Sequence, residues 1–364
     1  MKVFVAANTD SGVLRVRSEL IAELLAQHFE VVVMAPAGNS YSKLVDMGCR
    51  FISVKIDLHG LNPLSDLSTY SRFVSILKKE KPDVVLLFST KPNIYCGIAC
   101  RFLKVPAVMN ITGMGSALGN KGVIQSIMIQ LYRLACNGKN MKRIFFQNDN
   151  SLIFFRNNRI GDSSIYERIP GSGVNLEQYQ VLDFPNTKTV DFLFVARVMK
   201  QKGIDQYIEA ARIVRQRYPD AIFHVLGDCN DDYKTILEEE NQKGTIVYHG
   251  RVNNIIDYQK HSQCTIQPSY YPEGMSNVIL EAAACGRPVI TTDHPGCREG
   301  VEDGITGLIV PIKDADALSN AIIRIIEMSR DERITMGRRG RIKMEKEFDR
   351  KFVTNAYLRV LKCD

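Results

Sequence analysis

The sequence predicts an α/β chain of two doubly wound, parallel-sheet domains. Short runs rich in β-branched residues alternate with segments of helical spacing in both halves of the chain, which is typical of βαβ units. The 364 residues are about twice the usual ~150-residue domain. A turn-rich segment separates the two alternating regions. We therefore expect two sheets, each with its own core.

The first half contains predicted strands separated by helical segments such as Leu14–His28. These strands are Val3–Ala6, Val31–Met34, Phe51–Val54, Val84–Phe88, Ala107–Asn110 and Ile144–Phe146. The alternation resumes after Pro185, with predicted strands at Asp191–Val195, Ala221–Leu226, Thr245–Tyr248, Cys264–Gln267 and Pro288–Thr291. Because ligands of open parallel sheets bind beyond the carboxyl ends of the strands, two facing sheets predict a cleft for two substrates.

The prolines and glycines between Ile169 and Thr187 indicate the domain boundary. We predict a first domain over 1–170, a linker over 171–189 and a second domain over 190–349. A basic helical region, 338–346, precedes a last helix over 352–362. We expect residues from about 350 to 364 to pack back on the first domain.

Composition is that of an ordinary globular protein, with 45% hydrophobic and 24% charged residues. No apolar run approaches the roughly 18 residues of a membrane span. The N-terminal residues predict a first strand and not a signal peptide, because Asp10 soon follows a very short apolar run. These features predict a cytoplasmic protein.

Nine cysteines are scattered without a Cys-x-x-Cys pair, and we interpret them as buried, reduced thiols. The six histidines show no local metal-ligand spacing. Ligands far apart in the sequence stay open as an alternative. The sequence therefore predicts neither a metal nor another cofactor.

Positive charge is concentrated in the first half. The net charge is +7, and residues 1–180 hold 21 basic and 13 acidic residues, or +8. The basic residues are dispersed without stacking aromatics, which argues against nucleic acid. An anionic membrane surface or a pyrophosphate ligand fits this charge better.

The strongest candidate site is the segment from Glu273 to Glu281. The chain leaves a predicted strand at Ile266, turns through Pro268 and Pro272 and enters a helix over 277–285, whose first turn offers free N–H groups to a diphosphate. Gly274 allows close approach of a ligand. Each carboxylate can accept two hydroxyl donors of a sugar. The alternative is that Glu273 is a favourable acid at a helix start and Glu281 an exposed helix residue.

These motifs resemble family 4 retaining glycosyltransferases of the GT-B fold, in which two Rossmann-like domains face across a cleft. The resemblance is carried by Glu273-Gly-Met-Ser-Asn-Val-Ile-Leu-Glu281 and its continuation to Ile290, by Gly304-Ile-Thr-Gly307 to Pro311, by Ile169-Pro-Gly-Ser-Gly-Val-Asn175 and by Phe194-Val-Ala-Arg197 to Lys202-Gly203. The motifs occur in the family's order over nearly the whole chain.

The resemblance implies a role for each site residue. Arg197 and Lys202 would clamp the donor diphosphate and, with Glu273 on the donor sugar, form the catalytic set. Glu281 would bind the ribose. Further donor contacts would come from Gly274, Met275, Ser276 and Asn277, from Arg251 near the base, and from Gly12 near the diphosphate. Gly12 stands where the family usually has paired glycines, which is a departure.

The acceptor side departs from the family as well, because the histidine found in many relatives is missing. Thr90, Lys91, Asn110 and Thr112 become the local candidates. The string Thr112-Gly-Met-Gly115 looks like a subgroup that acts on lipid-linked sugars in bacterial surface-polysaccharide assembly. The implied acceptor is a glycolipid or lipid-diphosphate sugar.

Two other segments have alternative interpretations. Asp314-Ala-Asp316 resembles a metal-binding Asp-x-Asp, but its position before a helix favours a helix cap; Asp231-Asp232 has the same explanation. The segment from Val123 to Ala135 predicts a core helix, and the alternative is an edge helix lying in an anionic membrane.

The predicted function is retaining, metal-independent transfer of a sugar from a UDP-sugar to a glycan on a polyprenyl diphosphate, with the enzyme cytoplasmic or peripheral on the cytoplasmic face of the inner membrane. A UDP-sugar 2-epimerase, a phosphorylase and a noncatalytic nucleotide-sugar-binding protein are the alternatives. A phosphorylase would need a pyridoxal lysine context, which the sequence does not show.

Overall fold

The chain divides into two compact units. A computed structural model describes residues 1–57, 63–119, 122–229 and 231–362. The first unit comprises Met1–Ser172 with Arg350–Asp364, and the second comprises Gly173–Asp349. The chain therefore leaves the first unit once and returns to it at Arg350.

The first unit is built on a seven-stranded sheet in which every neighbouring pair is parallel. Its order is β3-β2-β1-β4-β5-β6-β7. The strands are β1 (Lys2–Ala6), β2 (Glu30–Ala35), β3 (Arg50–Ser53), β4 (Val84–Phe88), β5 (Ala107–Ile111), β6 (Met141–Phe146) and β7 (Tyr166–Arg168). The six predicted strands are confirmed. The edge strand β7 was missed because its three residues are polar and partly exposed.

Helices cover both faces of this sheet. They are α1 (Asp10–Ala26), α2 (Tyr41–Asp46), α3 (Pro63–Glu80), α4 (Gly97–Leu103), α5 (Gly115–Gly119), α6 (Val123–Cys136) and α7 (Asp149–Asn157). A π-helical turn, Pro92–Cys96, leads directly into α4. A short 3₁₀ turn, Ser163–Ile165, precedes β7.

The second unit has a six-stranded parallel sheet of order β10-β9-β8-β11-β12-β13. The strands are β8 (Asp191–Val195), β9 (Ile222–Leu226), β10 (Val247–Gly250), β11 (Cys264–Gln267), β12 (Val289–Thr292) and β13 (Gly307–Val310). The five predicted strands are confirmed. β13 was missed as a strand because glycines and a turn precede it.

The helices that follow these strands complete the doubly wound arrangement. They are α8 (Ile204–Arg217), α9 (Asp231–Gln242), α10 (Ile255–His261), α11 (Asn277–Ala284), α12 (Ala315–Glu327), α13 (Arg330–Lys343) and α14 (Arg350–Lys362). 3₁₀ turns occupy Lys200–Lys202 and Arg298–Gly300, and a π-helical turn, Met344–Phe348, ends α13. The last of the helices, α14, belongs to the first unit.

Packing of α14 on the first sheet explains why the chain returns. Tyr357 is 1% exposed and joins the core cluster that includes the β1, β2 and β4 strands. Its ring centroid lies 4.7 Å from that of Phe145 and 5.7 Å from that of Phe88. Asn110 Nδ2 donates a hydrogen bond to the Tyr357 hydroxyl over 2.7 Å. These ring contacts and this hydrogen bond hold α14 on the first sheet.

The segment predicted as a linker is largely part of the second unit. Val174 N donates to Phe348 O over 2.8 Å, and Leu182 N donates to Cys285 O over 3.2 Å. The fully buried Arg287 guanidinium donates to the carbonyls of Leu182 and Asp183. Residues 173–189 therefore wrap the second unit and do not form a free connection.

Candidate functional site

The candidate site lies at the carboxyl edge of the second sheet, where its strand order reverses. From β8 the chain proceeds outward through β9 and β10, then returns to the other side of β8 as β11. Ligands of doubly wound sheets bind in the crevice at such a switch point. The loop after β8 carries Arg197 and Lys202, and the loop after β11 carries Glu273.

Close contact between these two loops depends on Gly203. Its φ is 78°, in the left-handed region, and a Cβ there would lie 2.1 Å from the carbonyl oxygen of Pro268. No other residue fits such an approach without moving the backbone. Tyr270 N also donates to Gln201 O over 2.9 Å. The glycine therefore joins the two loops below the charged side chains.

Lys202 and Glu273 form an ion pair across this junction, with side chains only 16% and 17% exposed. Ser269 Oγ donates to the same Glu273 oxygen over 3.3 Å, and the Lys202 ammonium lies 5.1 Å from the centre of the Tyr271 ring. A partly buried lysine and glutamate of this kind suit an anionic diphosphate and sugar hydroxyls respectively. The Lys202 ammonium has three N–H donors, of which Glu273 takes one, so it can also donate to a phosphate.

Arg197 is exposed on the same edge, where its Nη2 lies 3.2 Å from Met199 Sδ. The two predicted cations therefore lie on one loop, where Lys202 is paired with Glu273 and Arg197 faces solvent. An exposed guanidinium can reach a ligand by rotation of its own side chain.

The start of α11 supplies the backbone part of the site. Gly274, Met275 and Ser276 are buried, and Ser276 N donates to Gly296 O over 2.7 Å. Within the described residues, Asn277 Oδ1 is buried and makes no hydrogen bond. The first turn of α11 therefore presents N–H groups and an available amide oxygen.

Glu281 lies in the second turn of α11 and is only 4% exposed. It is therefore not an exposed helix residue, which contradicts the part of the alternative that concerned Glu281. A buried carboxylate is costly unless it is hydrogen-bonded, and the role of Glu281 toward a ribose stays a prediction.

Arg251 follows β10, which is two strands away from β8. Its side chain is 73% exposed and its Nη1 lies 3.5 Å from Asp228 Oδ2. Arg251 is therefore at the margin of the site, where it pairs with Asp228.

A third loop, which follows β12, also belongs to the candidate site and was not predicted from the sequence. A Cβ on Gly296 would lie 2.9 Å from Glu273 O, so this loop packs directly beneath the Glu273 turn. His294 Nδ1 lies 2.9 Å from Pro295 O and donates to it, which leaves Nε2 as an acceptor. Burial lowers the pKa of His294, against opposing contributions from the Pro295 hydrogen bond and Glu273. The available signal was the Pro-Gly pair at 295 and 296, shortly after the predicted strand that ends at Thr291.

Cys297, in the same loop, is a buried thiol that we expect to be unreactive. Burial raises the pKa of its thiol to about 12, so the thiol stays protonated at neutral pH. Seven of the eight described cysteines are buried, Cys229 is half-buried, and all are free thiols. This agrees with the prediction of buried reduced thiols; Cys363 lies outside the described residues.

The first unit has its own switch point, between β1 and β4. Gly12 is in the first turn of α1 and donates its N–H to Thr9 Oγ1 over 3.1 Å. Thr90 and Lys91 follow β4 after Ser89, whose φ of 72° is rare for a residue other than glycine. Three predicted residues therefore flank one crevice of this sheet.

The other two acceptor-side candidates differ in accessibility. Asn110 is fully buried, and its amide bonds to Tyr357 and accepts from Gln147 Nε2 over 3.2 Å. Its side chain therefore holds α14 and β6 in this conformation. Thr112, by contrast, is exposed at the end of β5. Their roles toward an acceptor stay predictions.

The Asp-x-Asp string is a helix cap, as expected. Asp314 Oδ1 accepts from Ala317 N over 2.8 Å, and Asp316 is in the first turn of α12. Asp231 and Asp232 begin α9. Among the described residues, no group of three or more His, Cys, Asp or Glu side chains is arranged to hold a metal ion.

Two family models match the chain. The model described as "Glycosyl transferase 4-like" matches residues 2–148, and the model "Glycosyl transferases group 1" matches residues 179–343. Each match falls within one of the two units described above. Together they cover most of the sequence.

Full-length relatives agree with these models. The chain is 23% identical to the Campylobacter jejuni N,N'-diacetylbacillosaminyl-diphospho-undecaprenol alpha-1,3-N-acetylgalactosaminyltransferase, over 99% of this chain and 98% of the relative. It is 25% identical to the Escherichia coli UDP-Gal:alpha-D-GlcNAc-diphosphoundecaprenol alpha-1,3-galactosyltransferase, over 87% and 85%.

A solved structure shows the same fold. Anabaena HepE, in complex with UDP and glucose, superposes with a TM-score of 0.81 over 100% of both chains at 16% identity. The likeness shows that the fold is GT-B. The chain belongs to the GT4 family of glycosyltransferases: its N-terminal half matches the "Glycosyl transferase 4-like" model, and its C-terminal half matches the "Glycosyl transferases group 1" model.

Proposed function

We propose that this glycosyltransferase moves a sugar from a UDP-sugar to a hydroxyl of a lipid-diphosphate-linked glycan in bacterial polysaccharide assembly. The observation that carries the proposal is the junction of Lys202, Glu273 and the α11 start at a sheet switch point. One cation, one carboxylate and free N–H groups meet the chemical needs of a diphosphate joined to a sugar.

In the proposed reaction, the bond between the sugar's anomeric carbon and the β-phosphate oxygen breaks, and its electron pair leaves with UDP. The acceptor oxygen bonds to the anomeric carbon, and its proton passes to the departing β-phosphate oxygen. Arg197, Lys202 and the α11 N–H groups stabilise the charge that develops on UDP. Glu273 orients the donor sugar, Glu281 binds the ribose, and Arg251 lies near the base.

Support for the donor and acceptor comes from the relatives. The names of both relatives given above include a diphospho-undecaprenol-linked sugar, and the name of the Escherichia coli relative also includes UDP-Gal. HepE was solved with UDP and glucose. Thr90, Lys91 and Thr112 are our acceptor-side candidates, because they follow β4 and β5, which are neighbouring strands on one side of the first sheet's switch point.

We further propose retention of the anomeric configuration and no need for a metal ion or other cofactor. Both relatives' names specify alpha-1,3 linkages, and an alpha product from an alpha-linked UDP-sugar means retention. Two cations near the leaving group, Arg197 and Lys202, can neutralise a diphosphate by themselves. Activity that survives full chelation with EDTA would support metal independence, and activity that returns only with Mg²⁺ or Mn²⁺ would contradict it.

We propose a cytoplasmic or peripheral location on the cytoplasmic face of the inner membrane. In the described part of the chain, no helix is long and apolar enough to span a bilayer. Net positive charge in residues 1–180 favours an anionic surface.

Mass spectrometry tests the proposal directly. A panel of UDP-sugars is incubated with short lipid-diphosphate sugars, and we expect one donor to give a product heavier by one sugar residue, with release of UDP. Lys202→Ala should remove this product by weakening charge neutralisation, whereas Lys200→Ala, an exposed lysine of the same 3₁₀ turn, should not. Absence of any transfer across a broad panel would sink the proposal.

The same assay separates the alternatives. A 2-epimerase would convert the UDP-sugar with no acceptor present. A noncatalytic binding protein would bind UDP, yet release none from a UDP-sugar when acceptor is supplied. Transfer that requires acceptor excludes both.

A further inference from the structure

A cavity of about 540 Å³ lies in the first unit between three helices. Its walls include Leu67 and Tyr70 of α3, Ile98 and Phe102 of α4, and Ile127 and Leu131 of α6. The volume falls within the roughly 300–1,000 Å³ that is typical of small-molecule sites. Such a size suits a defined ligand.

The chemistry of the walls is almost entirely that of hydrocarbon. Among the described residues that line the cavity, Asp66 alone carries a charge, and it is paired with Lys91 over 2.7 Å. A peptide occupant would bring backbone N–H and C=O groups that these walls cannot satisfy. An alkyl or isoprenoid chain brings none.

Residues at the mouth of the cavity are exposed although they are apolar. Leu67 is 59%, Phe102 62% and Ile127 50% exposed. Contiguous exposed apolar side chains on three helices mark a contact with something apolar. A chain that entered the cavity would cover them.

The cavity also lies next to the predicted acceptor residues. Asp66 in its wall binds Lys91, whose side chain is only 12% exposed and which follows β4 at the switch point of the sheet. An occupant with an apolar chain could therefore extend toward the residues that we propose for the acceptor.

Charge in this part of the chain favours an anionic head group. Residues 91–148 contain no Asp or Glu and the following basic residues: Lys91, Arg101, Lys104, Lys121, Arg133, Lys139, Lys142 and Arg143. The stretch includes α4 and α6, which form two of the three walls. An apolar chain ending in a diphosphate is complementary to both features.

We infer that this cavity binds the isoprenoid chain of the lipid-diphosphate acceptor, next to its diphosphate. The inference rests on the proposed function for the identity of the acceptor. It assigns the isoprenoid a binding place on the protein, in this open cavity, in addition to the bilayer, so that isoprenoid length becomes part of substrate recognition.

A matched pair of variants tests the inference. Ile127→Trp places a large ring at the mouth of the cavity, whereas Ile124→Trp places the same ring one turn earlier on α6. Ile124 is 49% exposed, like Ile127, but does not line the cavity. Both substitutions are at exposed positions and should preserve the fold, which circular dichroism checks.

Binding is measured first, with fluorescent farnesyl diphosphate as the probe and no donor present. We expect wild type and Ile124→Trp to bind it alike and Ile127→Trp to bind it at least tenfold more weakly. Equal weakening of probe binding in both variants would indicate that the probe contacts the apolar surface of α6 in general and not the cavity, which would overturn the inference. Failure of the wild type to bind would overturn it as well.

Steady-state kinetics then compares acceptors with isoprenoid chains of different length. We expect Ile127→Trp to raise the KM for the long-chain acceptor about tenfold, with the KM for UDP-sugar and the rate with an acceptor that lacks an isoprenoid chain unchanged. An unaltered KM for the long chain would contradict the inference. A protein that binds the probe but transfers no sugar to any acceptor would instead contradict the proposed function.

Analytical ultracentrifugation tests whether a second copy of the protein, and not an isoprenoid, occupies the cavity. A dimer that dissociates in Ile127→Trp and not in Ile124→Trp would show that the cavity is a subunit interface, which overturns the inference.

Discussion

Lys202 and Glu273 are 71 residues apart in the chain and form an ion pair in the second unit. Each compensates the other's charge in a place where both are mostly shielded from water. Under the proposed function, the donor supplies a phosphate to Lys202 and hydroxyls to Glu273, and these contacts compete with the ion pair. A nucleotide without its sugar supplies only the first of these.

Glu273→Gln should therefore have opposite effects on UDP and on catalysis. We expect UDP affinity to rise by roughly threefold to tenfold, because Lys202 is no longer held by a carboxylate, and we expect turnover to fall by at least about 100-fold. Isothermal titration and product formation measure the two quantities. A variant that loses UDP affinity would contradict this account, and Glu302→Gln, an exposed carboxylate of the same unit, serves as the control.

Glu281→Ala should weaken UDP binding by roughly 1.5–3 kcal/mol if its charged hydrogen bonds reach the ribose. Isothermal titration with UDP measures the change. Because Glu281 is buried, thermal denaturation of the same variant is needed to show that the fold is kept. Unchanged affinity in a folded variant would remove Glu281 from the site.

At the scale of elements, strand order explains why the site forms. The loops after β8, β11 and β12 are adjacent because those strands are neighbours, and glycines at 203 and 296 let the loops touch. Sequence periodicity located these strands, since buried parallel strands are continuous apolar runs. It could not identify the β12 loop as part of the site, because adjacency of strands is not encoded in local spacing.

Glu240 links several elements of the second unit and provides a test of its stability. Glu240 in α9 is 2% exposed; its carboxylate bonds to Arg212 of α8, with Arg212 Nη2 at 2.8 Å, and to Lys243 at 2.9 Å. The hydrogen bond from Arg212 lowers the pKa of Glu240 to about 2, against burial, which raises it. This carboxylate therefore stabilises the fold at neutral pH.

Glu240→Gln should lower the free energy of unfolding by about 2 kcal/mol at pH 7. The folded pKa lies below the ordinary 4.5, so the stabilisation is fully present above pH 4.5 and is lost as the pH falls toward about 2. Urea titrations at several pH values should show the variant and the wild type converging in acid. Glu239→Gln, at a 59% exposed neighbour, should change stability by less than about 0.5 kcal/mol.

At the scale of the whole molecule, the return of α14 makes the first unit discontinuous in sequence. Core residues from the end of the chain, such as Val353 and Leu361, pack with strands formed at its beginning. Folding of this unit therefore requires closure of a loop that contains the entire second unit. The cost of that closure grows only slowly with loop length.

Tyr357→Ala should destabilise the first unit by about 3–5 kcal/mol and leave the second unit unchanged. The lost contacts are those with Phe88 and Phe145 and the hydrogen bond from Asn110. Hydrogen exchange read by mass spectrometry resolves the two units: faster exchange in β1, β4 and β5 is expected, with β8 and β11 unaffected. Phe352→Ala, 45% exposed on the same helix, should alter neither, and equal loss of protection in both units would contradict the prediction.

The sequence by itself determined the two parallel sheets, the family motifs and most of the residues that we propose for the donor site, because apolar runs, helix starts and glycine turns are local signals. Only the tertiary structure showed which loops meet and that Lys202 pairs with Glu273. It also showed that Asn110 donates a hydrogen bond to Tyr357 of α14 and that three helices line an apolar cavity. These features depend on strand order and on contacts between distant residues, whose free energy appears only when the chain is packed.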